Sequence, residues 1–292
     1  MSWGASTPVE EARDHLKTYL AAGGDFIDTA HTYANGASEE TLGAMLGHLV
    51  PRDELVICTK AGISRRAGAR VVDTSRRTLM QQLDTSLERM GTPYVDLWMV
   101  HTWSDDTPLA ETLSALEWAV TSGRARYVGV SNYSGWQMAL AATLLSARGI
   151  PLLANEIEYS LLNRLPEDEL APAAQALGFG LMPWSPLGRG VLTGKYRHGI
   201  PADSRAASRE PNGLTSLNLT EESGQIVDAV GIAARGMNVS AAEIALAWVR
   251  DRPGVVAPIV GARTTAQLRT ALASEHLELP VELRNALDDV SD

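Results

Sequence analysis

Short, continuous apolar runs alternate with longer amphipathic ones along almost the whole chain. Candidate strands are Phe26–Ala30, Leu55–Lys60, Val95–His101, Tyr127–Asn132, Leu152–Tyr159, Gly180–Ser185 and Ala257–Ala262. Their unbroken apolar character is that of strands buried on both faces. Between them the pattern predicts helices, among them Ser38–Leu49, Thr74–Met90, Pro108–Thr121, Gly135–Ala147 and Glu167–Ala176. Thr74 stands where an N-cap would, and Gly91 where a helix stops.

Strands separated by one helix each imply βα units and a parallel sheet. A doubly wound dinucleotide fold would carry G-x-G-x-x-G after an early strand, and none occurs. The regular repeat instead fits one α/β domain over residues 1–292, a closed (β/α)8 barrel. Seven strands can be assigned, and a helix opens near Val9, so the missing strand is expected at the N-terminus, with the reading frame starting late. The longest irregular stretch is Lys195–Leu219, and a loop of that length in a compact domain usually serves function.

Composition narrows the class. A hydrophobic fraction of 45% over 292 residues suffices for a substantial core. The formal charge of −10 argues against nucleic acid or an anionic membrane as partner. The single cysteine, Cys58, excludes an internal disulfide and fits a reducing compartment. It sits inside an apolar run, as a small core residue would. No apolar stretch approaches the roughly 18 residues of a membrane helix, and no signal peptide opens the chain. A cytoplasmic protein is expected.

Polar residues end several of the apolar runs. Asp28, Lys60 and His101 each close one, and Tyr33 lies five residues beyond Asp28. A parallel barrel places its chemistry at such strand exits. An acid, a phenol, an amine and an imidazole together form a proton-transfer set. No His/Cys/Asp cluster has metal-ligand spacing, so no metal is expected.

The stretch Gly24-Asp25-Phe26-Ile27-Asp28-Thr29-Ala30-His31-Thr32-Tyr33, with Thr59-Lys60 and Val95-Asp96-Leu97 leading to His101, resembles the aldo-keto reductase family. The resemblance continues through Gly129-Val130-Ser131-Asn132, Glu158-Tyr159-Ser160-Leu161, Pro183-Trp184-Ser185-Pro186-Leu187-Gly188-Arg189-Gly190 and Gly261-Ala262-Arg263 with Gln267-Leu268. It spans the chain in family order. It implies Tyr33 as the general acid, Lys60 as the charge that lowers its pKa, Asp28 as the partner that orients Lys60, and His101 as the group that positions the substrate oxygen.

For a cofactor the resemblance implies NADPH (NADP+). Ser131, Asn132 and Glu156 would meet the nicotinamide carboxamide and Trp184 would stack on the ring. Ser185, Leu187, Gly188, Arg189, Gly190 and Lys195 would wrap the diphosphate, with Ser204 and Arg205 adding contacts. Arg263 would read the 2′-phosphate, since a guanidinium grips phosphate oxygens in bidentate fashion, with Gly261 and Gln267 as further cofactor-binding residues. Trp3, Trp103 and Tyr133 are candidate walls of the substrate pocket.

Four departures from the family pattern stand out. Glu156 replaces a frequent Gln, Thr270-Ala271 replace a Glu-Asn pair, His31-Thr32 and Ala34-Asn35 flank Tyr33, and the N-terminus is short. The expected activity is reduction of a small aldehyde or ketone to an alcohol, by a monomer or weak homo-oligomer. The alternative is a cofactor-binding partner protein resembling the potassium-channel β subunits of the same family.

Overall fold

Six of the seven expected strands form. The computed structural model describes residues 3–197, 199–201 and 219–292. The chain divides into two compact units. The first comprises Met1–Glu156, Ala173–Gly180 and Gly261–Leu268, and the second Ile157–Pro172, Leu181–Val260 and Arg269–Asp292.

The first unit carries strands β1 (Phe26–Asp28), β2 (Val56–Ala61), β3 (Ile63–Arg66), β4 (Ala69–Val72), β5 (Val95–Val100), β6 (Ala125–Ser131) and β7 (Leu152–Glu158), the last two residues of β7 lying in the second unit. Its helices are α1 (Val9–Ala21), α2 (Ala37–Gly43), α3 (Arg76–Met90), α4 (Leu109–Thr121) and α5 (Gly135–Ser146). Strands β1, β2, β5, β6 and β7 are parallel neighbours in that order. In β5 every residue but Asp96 is buried, and in β2 every residue after Val56. Cover on both faces is what the continuous apolar runs encode. Cys58 is fully buried in β2, as a core residue.

Several local expectations shift. Helix α2 ends at Gly43, six residues before the predicted Leu49, in a series of turns. The N-cap of α3 is Ser75, whose Oγ accepts from the Thr78 amide, rather than Thr74. Gly91 closes α3 at φ 63°, the left-handed conformation that needs glycine. Strands β3 and β4 form an antiparallel hairpin absent from the predicted elements. Its turn, Ala67-Gly68, has positive φ at both residues, the geometry that follows strand twist.

One irregularity in the sheet bears on the site. Val128 pairs with Leu152, but Val130 pairs with Asn155 and Ser131 with Glu156. Strand β7 therefore carries one extra residue there, a β-bulge. It lies at Gly129, where a Cβ would stand 2.8 Å from Met99 Cε and 2.9 Å from the Ala154 carbonyl oxygen.

The second unit contains most of β8 (Gly180–Trp184) and the helices α7 (Glu221–Met237), α8 (Ala241–Arg250) and α10 (Val281–Val290); α6 (Leu170–Leu177) and α9 (Thr265–Ala273) cross the division. The seventh expected strand, Ala257–Ala262, does not form. Its chain still bonds to β8: the Val256 and Ile259 amides donate to the carbonyls of Leu181 and Pro183 at 2.9 and 2.7 Å. Pro258 between them has no N–H, which interrupts any regular ladder. The core here centres on Trp248, edge-on to Tyr159 at 6.0 Å, with its indole N–H on Asp288 at 2.7 Å. Among the described residues no helix is long and apolar enough to cross a membrane.

Candidate active site

Strand exits in the first unit bring the four expected chemical groups together. Asp28 ends β1 and Lys60 lies near the end of the neighbouring β2. Lys60 Nζ donates to Asp28 Oδ1 at 2.5 Å and to the Thr29 carbonyl at 3.0 Å. Its side chain is completely buried. Burial opposes the charged ammonium, but Asp28 and then Glu156 override it and hold the Lys60 pKa well above its ordinary value.

Tyr33 sits in a tight turn after β1. The turn continues through Ala34 and Asn35, both at positive φ, a costly conformation for residues with side chains. The Lys60 ammonium lies 5.1 Å from the centre of the Tyr33 ring, and the ring meets His101 edge-on at 5.7 Å. Burial pushes the phenol pKa above its usual value. Lys60 pulls it down, while Asp28 and Glu156 push it up. The lowering expected of Lys60 is present, but burial of the phenol outweighs it. Tyr33 keeps its proton at neutral pH, the form a donor requires.

His101 follows β5. Burial, then the Lys60 charge, depresses its pKa to about 3, so the imidazole is neutral. Its buried Nδ1 has no hydrogen-bond partner in the structure. A neutral ring with an unspent nitrogen suits hydrogen bonding to a ligand rather than proton storage. Asn132 holds the residue's backbone, donating from Nδ2 to the His101 carbonyl and to Ser131 Oγ, both at 3.0 Å. Asn132 itself has φ 59°, a further strained position at a strand exit.

Glu156 enters from β7 and is buried. Its Oε2 lies 3.1 Å from Lys60 Nζ, close enough for an ion pair but without hydrogen-bond alignment. Burial, then Asp28, pushes its carboxyl up to about 8. No local pattern links Lys60 to Glu156, which stand far apart in the chain, and sequence reasoning missed the contact. It also missed the clamp on the Tyr33 loop. Arg89, at the end of α3, donates to the His31 carbonyl at 2.9 Å and to Glu39 Oε2 at 3.0 Å, while Thr59 Oγ1 donates to Glu39 Oε1 at 2.6 Å.

The three candidate pocket residues also lie in this unit. Trp103 meets Tyr133 edge-on at 5.2 Å and the exposed Trp136 at 5.4 Å. Tyr133 is itself buried, so Trp103 and Trp136 present the accessible aromatic surface. The Trp3 indole N–H lies 3.4 Å from His15 Nδ1 on α1. Gln267 Oε1 accepts from the Arg263 amide at 2.9 Å, and Glu11 Oε1 takes the Thr265 hydroxyl at 2.8 Å near the start of α9.

In the second unit, Trp184 ends β8 and leads into a turn with positive φ at Ser185, Gly188, Arg189 and Gly190. The Arg189 guanidinium lies 5.5 Å from the Trp184 ring centre and 2.9 Å from Glu158 Oε1. Lys195 closes the turn, with Nζ 2.8 Å from where a Gly190 Cβ would stand. At Gly188 a Cβ would stand 2.5 Å from Leu162 Cδ1. Ser204 and Arg205 lie outside the described residues.

Residues 1–292 match the Aldo/keto reductase family, and the chain belongs to that family of oxidoreductases. It is 38% identical over 275 residues to the L-glyceraldehyde 3-phosphate reductase of Escherichia coli (strain K12), covering 91% of this chain and 79% of the relative. It is 34% identical to a probable voltage-gated potassium channel subunit beta of Oryza sativa subsp. japonica, covering 92% and 83%. An uncharacterized oxidoreductase of Bacillus subtilis (strain 168), YrpG, is 30% identical and covers 99% and 90%.

Proposed function

We propose that this protein reduces an aldehyde or ketone to an alcohol, with hydride from NADPH and a proton from Tyr33, on a (β/α)8-type scaffold. The observation that carries the reading is the convergence of Lys60, Tyr33 and His101 within one buried cluster, with the phenol protonated and the imidazole neutral. NADPH, when bound, supplies the hydride. The residues present fit such a group. A dinucleotide asks for positive charge and a close backbone approach at its diphosphate. Arg189 and Lys195 flank a glycine turn of that kind. The family resemblance assigns Ser131, Asn132, Trp184 and the Ser185–Gly190 turn to the cofactor, and Arg263 to its 2′-phosphate.

The chain's own part is then specific. His101 offers a hydrogen bond that orients the carbonyl oxygen. Tyr33 gives its proton to that oxygen as negative charge develops, and Lys60, held by Asp28, stabilises the phenolate left behind. The carbonyl carbon gains a hydride, its oxygen gains the Tyr33 proton, and water later reprotonates Tyr33. The strand order β1-β2-β5-β6-β7, which follows the chain with helices between, supports the barrel reading. A small carbonyl compound is the proposed substrate, in a cytoplasmic protein.

Tyr33→Phe tests the reading. Turnover of a carbonyl panel, followed by NADPH consumption, should fall about a hundredfold to ten-thousandfold. NADPH binding, followed by fluorescence quenching, should persist. Undiminished turnover in the variant would remove Tyr33 as the donor.

A further inference from the structure

The Lys60 ammonium has three N–H bonds, and its oxygen neighbours include Asp28 Oδ1 at 2.5 Å, the Thr29 carbonyl at 3.0 Å and Glu156 Oε2 at 3.1 Å. The first two take hydrogen bonds. Glu156 pairs with the ammonium through a buried Oε2 that lacks a well-aligned hydrogen bond. One positive charge thus faces two carboxylates. With both ionised the trio carries a net charge of −1, and with Glu156 protonated it is neutral. Tyr33 stands next to this balance, its ring centre 5.1 Å from the ammonium.

We infer that Glu156 is a positioning residue that sets the acid strength of Tyr33 through Lys60. A neutral Glu156 leaves the ammonium's field for the phenolate formed in reduction, and an ionised Glu156 cancels it. The inference rests on the reductase reading of Tyr33 as proton donor.

Burial and charge both favour a protonated Glu156. A fully buried carboxylate is costly to keep ionised, and a second carboxylate nearby adds repulsion. The groups facing it are Asp28 from β1, Lys60 and the thiol of Cys58 from β2, and Tyr33 from the turn after β1. Of these, Asp28 pushes the Glu156 carboxyl up and Lys60 draws it down, and the carboxyl lies up at about 8. The sign follows. As the pH rises through that value Glu156 loses its proton, the cluster gains a negative charge, and Tyr33 becomes a weaker acid. Reduction should slow on the alkaline side.

Glu156→Gln fixes the neutral form in nearly the same volume. The experiment follows the pH dependence of kcat for NADPH-linked reduction in both proteins, together with the infrared band of protonated carboxyl groups in cofactor-free protein. In the wild type, kcat should fall about threefold to tenfold across the Glu156 transition, and a carboxyl band should titrate in the same range. In the variant both the fall and that band should be missing. Glu156→Met makes the same charge change should the glutamine variant not fold.

An alkaline fall of equal size in wild type and variant would overturn the inference. So would a changed KM for NADPH with the pH profile intact, because Glu156 would then be a cofactor contact only. A wild type without carbonyl turnover under any condition would overturn the reductase reading itself, and that result differs from both.

Discussion

Arg89 ties the last turn of α3 to the loop that carries Tyr33, donating from Nη1 to the His31 carbonyl at 2.9 Å. The same nitrogen pairs with Glu39, whose side chain is fully buried. Gly36 lets the guanidinium in, because a Cβ there would stand 2.4 Å from Arg89 Cζ. The strained positive φ at Ala34 and Asn35 is held against this clamp.

Arg89→Ala would leave the Glu39 carboxylate buried with, among the described residues, Thr59 as its remaining side-chain donor. Removing one partner of such a pair costs about 3 kcal/mol or more. Chemical denaturation should show that loss. Turnover should fall further than cofactor affinity, since the loop positions the proton donor.

His101 makes stability depend on acid. Its folded pKa of about 3 lies below the ordinary 6.5, so below 6.5 the unfolded chain binds the proton and the folded chain does not. Stability from this residue is complete above 6.5 and is lost as pH falls towards 3, at no more than about 1.4 kcal/mol per pH unit. Urea unfolding at stepped pH should give a shallower acid slope for His101→Gln than for the wild type. Equal slopes would mean that the imidazole is already solvated or charged in the fold.

Arg263 carries the proposed choice between NADPH and NADH. Charge-assisted hydrogen bonds to a phosphate are worth about 1.5–3 kcal/mol. Arg263→Ala should therefore raise KM for NADPH by roughly tenfold to a hundredfold and leave KM for NADH nearly unchanged. Parallel changes in the two constants would place the 2′-phosphate elsewhere.

Much of the site was legible because strand exits leave a sharp mark: an apolar run that ends on Asp28, Lys60 or His101 needs no long-range knowledge. The hairpin of β3 and β4 was harder to see. Its Ala67-Gly68 turn lacks the Asn-Gly signature, and Arg65 and Arg70 dilute the alternation around it. The segment Ala257–Ala262 read as a strand from its composition, and only the Pro258 position argued otherwise. The acidity of Tyr33 could not be read from residue types, since it depends on how many carboxylates reach Lys60. That number is set by packing between strands distant in sequence.

Gly129→Ala would press a methyl against Met99 and the Ala154 carbonyl. Overpacking of this kind costs about 1–3 kcal/mol, read as a lowered midpoint of thermal unfolding.

The bulge beside Gly129 has a further consequence. Were the same residues of β7 paired in regular register from Leu152, without the bulge, Asn155 would stand level with Ser131 and Glu156 would turn to the opposite face of the sheet. The electrical character of the lysine site is therefore a matter of parity. A relative with the same bulge and one further residue inserted before Asn155 would present an amide where this protein presents an acid.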